Sequence, residues 1–81
     1  MKVRALFFAS YREIMGGADF DVDLPDGATV SDLITVLRER DDAAARLPSA
    51  PAVAVNRSYC TSDVVLAEGD EVAIIPPVAG G

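Results

Sequence analysis

The sequence contains no histidine, and its single cysteine, Cys60, has no partner for an internal disulfide. Without histidine the chain lacks the usual proton shuttle, the commonest metal ligand and the base of most hydrolytic triads. One cysteine gives no metal-ligand spacing, and no base or cation beside Cys60 in sequence argues for an activated thiol, so it reads as a filler. Long apolar runs are also missing. The longest, Ala5 to Ala9 and Val72 to Ala79, fall far short of the roughly 20 residues that cross a bilayer. Basic residues are scarce, seven against thirteen acidic, for a net charge of −6. Such a surface repels phosphate backbones and favours a partner with a basic docking face. Neither nucleic acid nor membrane is an expected partner. The acidic pairs Asp21/Asp23 and Asp41-Asp42 lack supporting ligands and read as solvated faces, so no metal site is expected.

What is present suits a small globule. The chain has 81 residues, 51% apolar and 25% charged, the profile of one folded domain and not of disorder. A domain this small buries only about 60% of the surface its unfolded chain exposes. The apolar residues near the N-terminus are interrupted by Arg4 and ended by Tyr11-Arg12-Glu13, too short for a signal-peptide core of about 7–15 residues. The expected location is the cytoplasm.

Periodicity orders the elements. Val3 to Ala9 is rich in strand formers, with Val3, Ala5 and Phe7 on one face and Lys2, Arg4, Leu6 and Phe8 on the other. Arg12 to Met15 reads as one helical turn stopped by Gly16-Gly17. Phe20 to Leu24 alternates apolar and acidic as a half-buried strand, placed to pair with the first as an antiparallel hairpin, and Pro25-Asp26-Gly27 turns the chain. Thr29 with Asp32 is a near-match to a capping box. Val30, Leu33, Ile34 and Leu37 then fall at the spacing of an amphipathic helix running to about Arg40, with Arg38 and Arg40 favourably near its C-terminal end. Asp42 to Leu47 adds a short helical turn before Pro48. Ala52–Val55, Tyr59–Thr61 and Val72–Ile75 read as strands, with turns at Asn56-Arg57-Ser58 and Glu68-Gly69-Asp70. The order β-β-α-β-β-β, with one main helix laid on a mixed sheet, is that of an α+β β-grasp, or ubiquitin-like, fold. Residues 1–76 form the domain and residues 77–81 an extended tail.

That tail is Pro77-Val78-Ala79-Gly80-Gly81. The glycines have no Cβ, so they can take φ/ψ values closed to other residues and fit a channel too narrow for a side chain. The α-carboxylate at Gly81 is ionised at neutral pH and becomes electrophilic only when a partner converts it to a mixed anhydride. A frayed terminus is the plain alternative. Pro76 and Pro77 end the last strand, fix their own φ near −65° and bias the residue before each to extended conformations, so the tail is expected to project as a stiff stalk. Five extended residues span at most about 17 Å, enough to reach a recessed site. Leu6, Phe8, Tyr59, Ala73 and Ile75 fall on positions facing away from the helix, either as an apolar interface or as a second small core beneath the loops.

Phe7-Phe8-Ala9 with Arg12-Glu13, Ala54-Val55-Asn56, Gly69-Asp70-Glu71-Val72-Ala73 and the closing Pro76-Pro77-Val78-Ala79-Gly80-Gly81 together resemble the MoaD-like sulfur carriers, the small subunits of molybdopterin synthase. The similarity runs over essentially the whole chain. It implies a carrier with no active site and no bound cofactor of its own. An E1-like enzyme using ATP adenylates the carboxylate of Gly81, a persulfide sulfur donor leaves a thiocarboxylate, and the tail enters the large synthase subunit to give sulfur to cyclic pyranopterin monophosphate. Gly80 and Gly81 are then the reacting end. Phe8, Tyr59, Ile75, Pro76, Pro77, Val78 and Ala79 are the expected partner contacts, and Arg12 matches a family motif but reads equally as a solvated charge. A carrier for thiamin thiazole or tRNA thiolation, a protein modifier, and an interaction module that is never activated are the rival readings. An electron-transfer β-grasp of the plant-ferredoxin type is excluded, because it needs four cysteines.

Overall fold

The computed structural model describes residues 1–77. Its elements are β1 (Lys2–Phe7), α1 (Ala9–Met15), β2 (Asp19–Asp23), α2 (Val30–Arg38), a short 3-10 turn (Ala44–Arg46), β3 (Ala52–Val55), β4 (Ser58–Cys60) and β5 (Glu71–Ile75). The five strands make one sheet in the order β2-β1-β5-β3-β4. β1 and β5 run parallel at its centre, and the other pairs are antiparallel.

Alternation decides the faces. Val3, Ala5 and Phe7 of β1, Val53 of β3, and Val72 and Ile74 of β5 are buried on one side. The stripe of α2, Val30, Leu33, Ile34 and Leu37, is buried with them in one core cluster. Each valine, leucine, isoleucine or phenylalanine side chain so withdrawn from water contributes about 1.5–3 kcal/mol. Phe20 of β2 meets Phe7 edge-on, with ring centroids 5.9 Å apart.

The start of α2 is fixed locally and from a distance. Asp32 donates its N–H to the Thr29 hydroxyl while the Asp32 carboxylate accepts from the Thr29 N–H, which completes the capping box. The loop before β5 straps the same end: Val30 N–H donates to Val64 O, Ser31 N–H to Ser62 O, and Leu66 N–H to Ala28 O. At the other end, Arg38 donates from Nε to the Leu47 carbonyl at 2.8 Å, tying α2 to the chain beyond the 3-10 turn.

β2 and β4 shift by one residue from the sequence expectation, β5 begins one residue earlier, and the larger differences lie around α1 and at the end of α2. β1 ends at Phe7, not Ala9, because Ala9 takes φ 47° and turns the chain straight into α1. A left-handed alanine costs on the order of 1 kcal/mol; the burial of Tyr11 and Met15 on α1 accompanies it. β1 and β2 pair antiparallel as expected, and the helical turn expected at Arg12–Met15 between them is a seven-residue helix that begins at Ala9. Arg40 lies past the last turn of α2 and sits over the Phe20 ring, 4.0 Å from its centroid, donating to the Met15 carbonyl.

Candidate interaction face and C-terminal tail

The sheet face opposite α2 is divided into a charged half and an apolar half. Register builds the apolar half as a row: Leu6 lies opposite Ala73, Ala73 opposite Ala54, and Ala54 opposite Tyr59. The next row pairs Ile75 with Ala52, and Phe8 follows β1 just past the Phe7–Ile74 pair. Two alanines at the centre make the floor low and flat. Tyr59, 75% exposed, and Phe8, 50% exposed, stand at its margins, while Leu6, Ala73 and Ile75 are half-buried. The charged half holds Arg4 opposite Glu71, with Arg4 Nε 3.5 Å from Asp21 on β2.

Because β1 and β5 are parallel, their C-terminal ends share one edge of the sheet, and that is the apolar end. Pro76, half-buried, and Pro77, exposed, leave β5 there, directly after Ile75. The face that carries Phe8, Tyr59 and Ile75 is therefore continuous with the root of the tail. Val78, Ala79, Gly80 and Gly81 lie outside the described residues. Arg12 is exposed on α1, where its backbone N–H donates to the Phe8 carbonyl at 3.3 Å, and it makes no ion pair among the described residues.

Cys60 lies opposite Val53 in the β3–β4 pair and packs half-buried against the core, on the side away from Tyr59. Among the described residues no three His, Cys, Asp or Glu side chains are grouped to hold a metal ion. No helix among them is long and apolar enough to cross a membrane.

Residue types alone give no role to Asn56. It occupies the β3–β4 turn at φ 49°, with Arg57 at φ 72° beside it, a left-handed pair that asparagine tolerates in two-residue hairpins. Its side chain bridges to the turn before β5: Nδ2 donates to Asp70 Oδ1 and Oδ1 accepts from the Glu71 N–H, both at 3.0 Å. Asp70 in turn accepts from the Ala67 N–H at 2.8 Å. The Ala54-Val55-Asn56 and Gly69-Asp70-Glu71 segments thus meet in space and hold the hairpin bearing Tyr59 in register with β5. The signal in the sequence is their polar turn chemistry, but 15 residues separate Asn56 from Glu71, and spacing does not reveal a pairing of that range.

The sequence profile of the ThiS family matches residues 5–81. The chain belongs to the ThiS family. Its relatives include the molybdopterin synthase sulfur carrier subunit of Drosophila erecta, 42% identical over 84 aligned positions that cover all of this chain and 92% of that protein. Among solved structures, molybdopterin converting factor subunit 1 of Pyrococcus furiosus matches with a TM-score of 0.83 at 30% identity, covering 96% of this chain and 99% of that one. The small archaeal modifier protein 1 of H. volcanii matches with a TM-score of 0.74 at 29% identity, over 95% of this chain and 98% of that one. The fold of this ThiS-family chain is accordingly the ubiquitin-like β-grasp, with α1 as an addition to the expected single main helix.

Proposed function

We propose that this protein carries sulfur for molybdopterin synthesis as the small subunit of the synthase. The reading rests on its likeness, across nearly its whole length, to proteins named as sulfur carrier subunits of molybdopterin synthase. The geometry supports it with a flat apolar face that runs into the root of the tail, so one docking event on that face aims the tail at its partner. The Gly81 carboxylate attacks the α-phosphorus of ATP in an E1-like enzyme, releasing pyrophosphate and leaving an acyl adenylate. A persulfide displaces AMP to give an acyl disulfide, and a thiol splits its S–S bond to leave the thiocarboxylate. The large synthase subunit supplies the groups that pass this sulfur to cyclic pyranopterin monophosphate and regenerate the carboxylate. The carrier supplies only the docking face and the end group.

Mass spectrometry of the protein isolated from its own cells tests the proposal. A terminal glycine in which sulfur replaces one oxygen is the expected product, and it is lost when the E1-like enzyme is deleted. A terminus that is always a plain carboxylate overturns it. The likeness to an archaeal modifier protein favours one second reading, attachment of Gly81 to lysines of other proteins. That reading predicts Gly-Gly remnants on lysines in digests of the same cells, and their absence removes it.

A further inference from the structure

The outer edge of β2 is built differently from the face described above. Phe7 N–H donates to the Ala18 carbonyl and Leu24 N–H to the Met1 carbonyl. Antiparallel bonds alternate residue by residue, so Phe20 and Val22 turn their backbone groups inward to β1. Asp19, Asp21 and Asp23 turn theirs outward, along the open edge of the sheet. Beneath that edge a groove of about 490 Å³ runs between β2 and α2, with Phe20, Val22, Val36 and Leu37 in its walls and Asp21 and Asp23 along its rim. The Arg40 cation also lines it, over the Phe20 ring. Val36 is 42% exposed, one of the few large apolar side chains on this surface that the fold leaves in water.

We infer that this edge and groove take up an extended segment of a partner protein in which basic and aliphatic residues alternate, added as a sixth strand beside β2. The inner neighbour of β2 already shows the matching pattern. Lys2, Val3, Arg4 and Ala5 lie opposite Asp23, Val22, Asp21 and Phe20, with the basic residues on the carboxylate face and the apolar ones toward the core. An added outer strand meets the same alternation. Its residues opposite the three aspartates share the open face with them, and those between point into the groove beside Val36. Arg4 approaches Asp21, but Asp19 and Asp23 form no ion pair among the described residues, so two carboxylates are free for the incoming cations. A second copy of this chain is a poor occupant, since β2 pairing with itself sets like charges across the junction. The inference is independent of the chemistry proposed for the tail.

The test is a titration of the full-length, ¹⁵N-labelled protein with a capped synthetic peptide of alternating lysine and valine, about nine residues long to overspan a strand of ordinary length. The expected result is that the amides of Asp19, Asp21 and Asp23 shift and exchange more slowly with solvent, while glutamate in place of lysine abolishes binding. Asp19→Asn with Asp23→Asn, and separately Val36→Lys, each weaken binding about tenfold, a loss of about 1.4 kcal/mol. All three positions are exposed, so these variants keep the fold. No binding, shifts spread over other acidic sites without slowed exchange at the three aspartates, or wild-type affinity in Val36→Lys overturns the inference. So does movement of the same amides with protein concentration alone, which would mark self-association.

Discussion

Ala54 and Ala73 lie directly opposite each other across β3 and β5 at the centre of the open sheet face. Larger residues at either position would raise a ridge between Leu6 and Tyr59. With two methyl groups there, a partner surface reaches the sheet without obstruction, and Tyr59 and Ile75 frame the contact. The first prediction follows from that arrangement.

Tyr59→Asp and Ile75→Lys should each weaken binding to the large synthase subunit by about 2 kcal/mol or more, the scale of an interface hot spot. Tyr59 is 75% exposed, so its substitution should leave stability within about 0.5 kcal/mol. Ile75 is half-buried and should cost more, yet less than the several kcal/mol of a core lesion. Phe8→Asp belongs with Tyr59. Calorimetric titration against the partner, paired with denaturant unfolding, separates the two effects. If Ile75→Lys unfolds the protein outright, the face is core and not a docking surface.

The core proper should behave otherwise. Leu33 of α2 is fully buried among Val3, Phe7 and Ile74 of the same cluster. Leu33→Ala should cost about 2–5 kcal/mol, a large share of the stability of so small a domain. Urea unfolding should show a lower midpoint with an unchanged slope.

Asn56 offers a finer test, because its turn conformation and its side-chain bonds can be separated. Asn56→Gly keeps the positive φ available but removes the bonds to Asp70 and Glu71, and should destabilise by about 1–2 kcal/mol. Asn56→Ala loses the bonds and also strains the left-handed backbone, adding about 1 kcal/mol. Thermal melting should therefore rank wild type above Asn56→Gly above Asn56→Ala. Equal melting of the two variants would mean that the backbone at Asn56 carries no strain.

Thr29→Ala removes one half of the capping box and should cost about 1 kcal/mol, a fall in melting temperature of about 4–8 °C for a domain of this size. Binding at the open face, on the other side of the sheet from α2, should not change.

The parts of this fold legible in the sequence are those governed by near neighbours. Thr29 and Asp32 stand three residues apart, and their reciprocal bonds can be read directly. The spacing of Val30, Leu33, Ile34 and Leu37 marks the buried stripe of α2, and strict alternation in β1 puts Leu6 on the open face. What escapes is set by tertiary context. Ala9 takes φ 47°, which no alanine signals in sequence, so strand propensity alone carries β1 two residues too far and leaves α1 only its last turn. Charge alone places Arg40 favourably near the end of α2, but does not reveal that the ring of Phe20 and the Met15 carbonyl hold it. Alternation locates the open-face cluster, while its continuity with the tail depends on β1 and β5 being parallel neighbours, a matter of topology.

The last prediction concerns the end of the chain, where Gly80 and Ala79 give a controlled comparison. If partner enzymes thread this terminus through narrow channels, a Cβ at the penultimate position clashes or restricts φ and ψ. Gly80→Ala should then slow adenylation or sulfur transfer at least tenfold, a barrier increase of about 1.4 kcal/mol, with the melting temperature unchanged. Ala79 already carries a Cβ, so Ala79→Ser should act nearly as wild type. Deletion of Gly81 should abolish transfer altogether, because the carboxylate is displaced from the reacting position. The measurements are ATP–pyrophosphate exchange with the activating enzyme and product formation with the reconstituted synthase. An unthreaded, merely flexible tail makes no distinction between the two positions. Equal rates for Gly80→Ala and Ala79→Ser would therefore remove the steric role of the double glycine, and transfer surviving in the Gly81 deletion would remove the carrier mechanism itself.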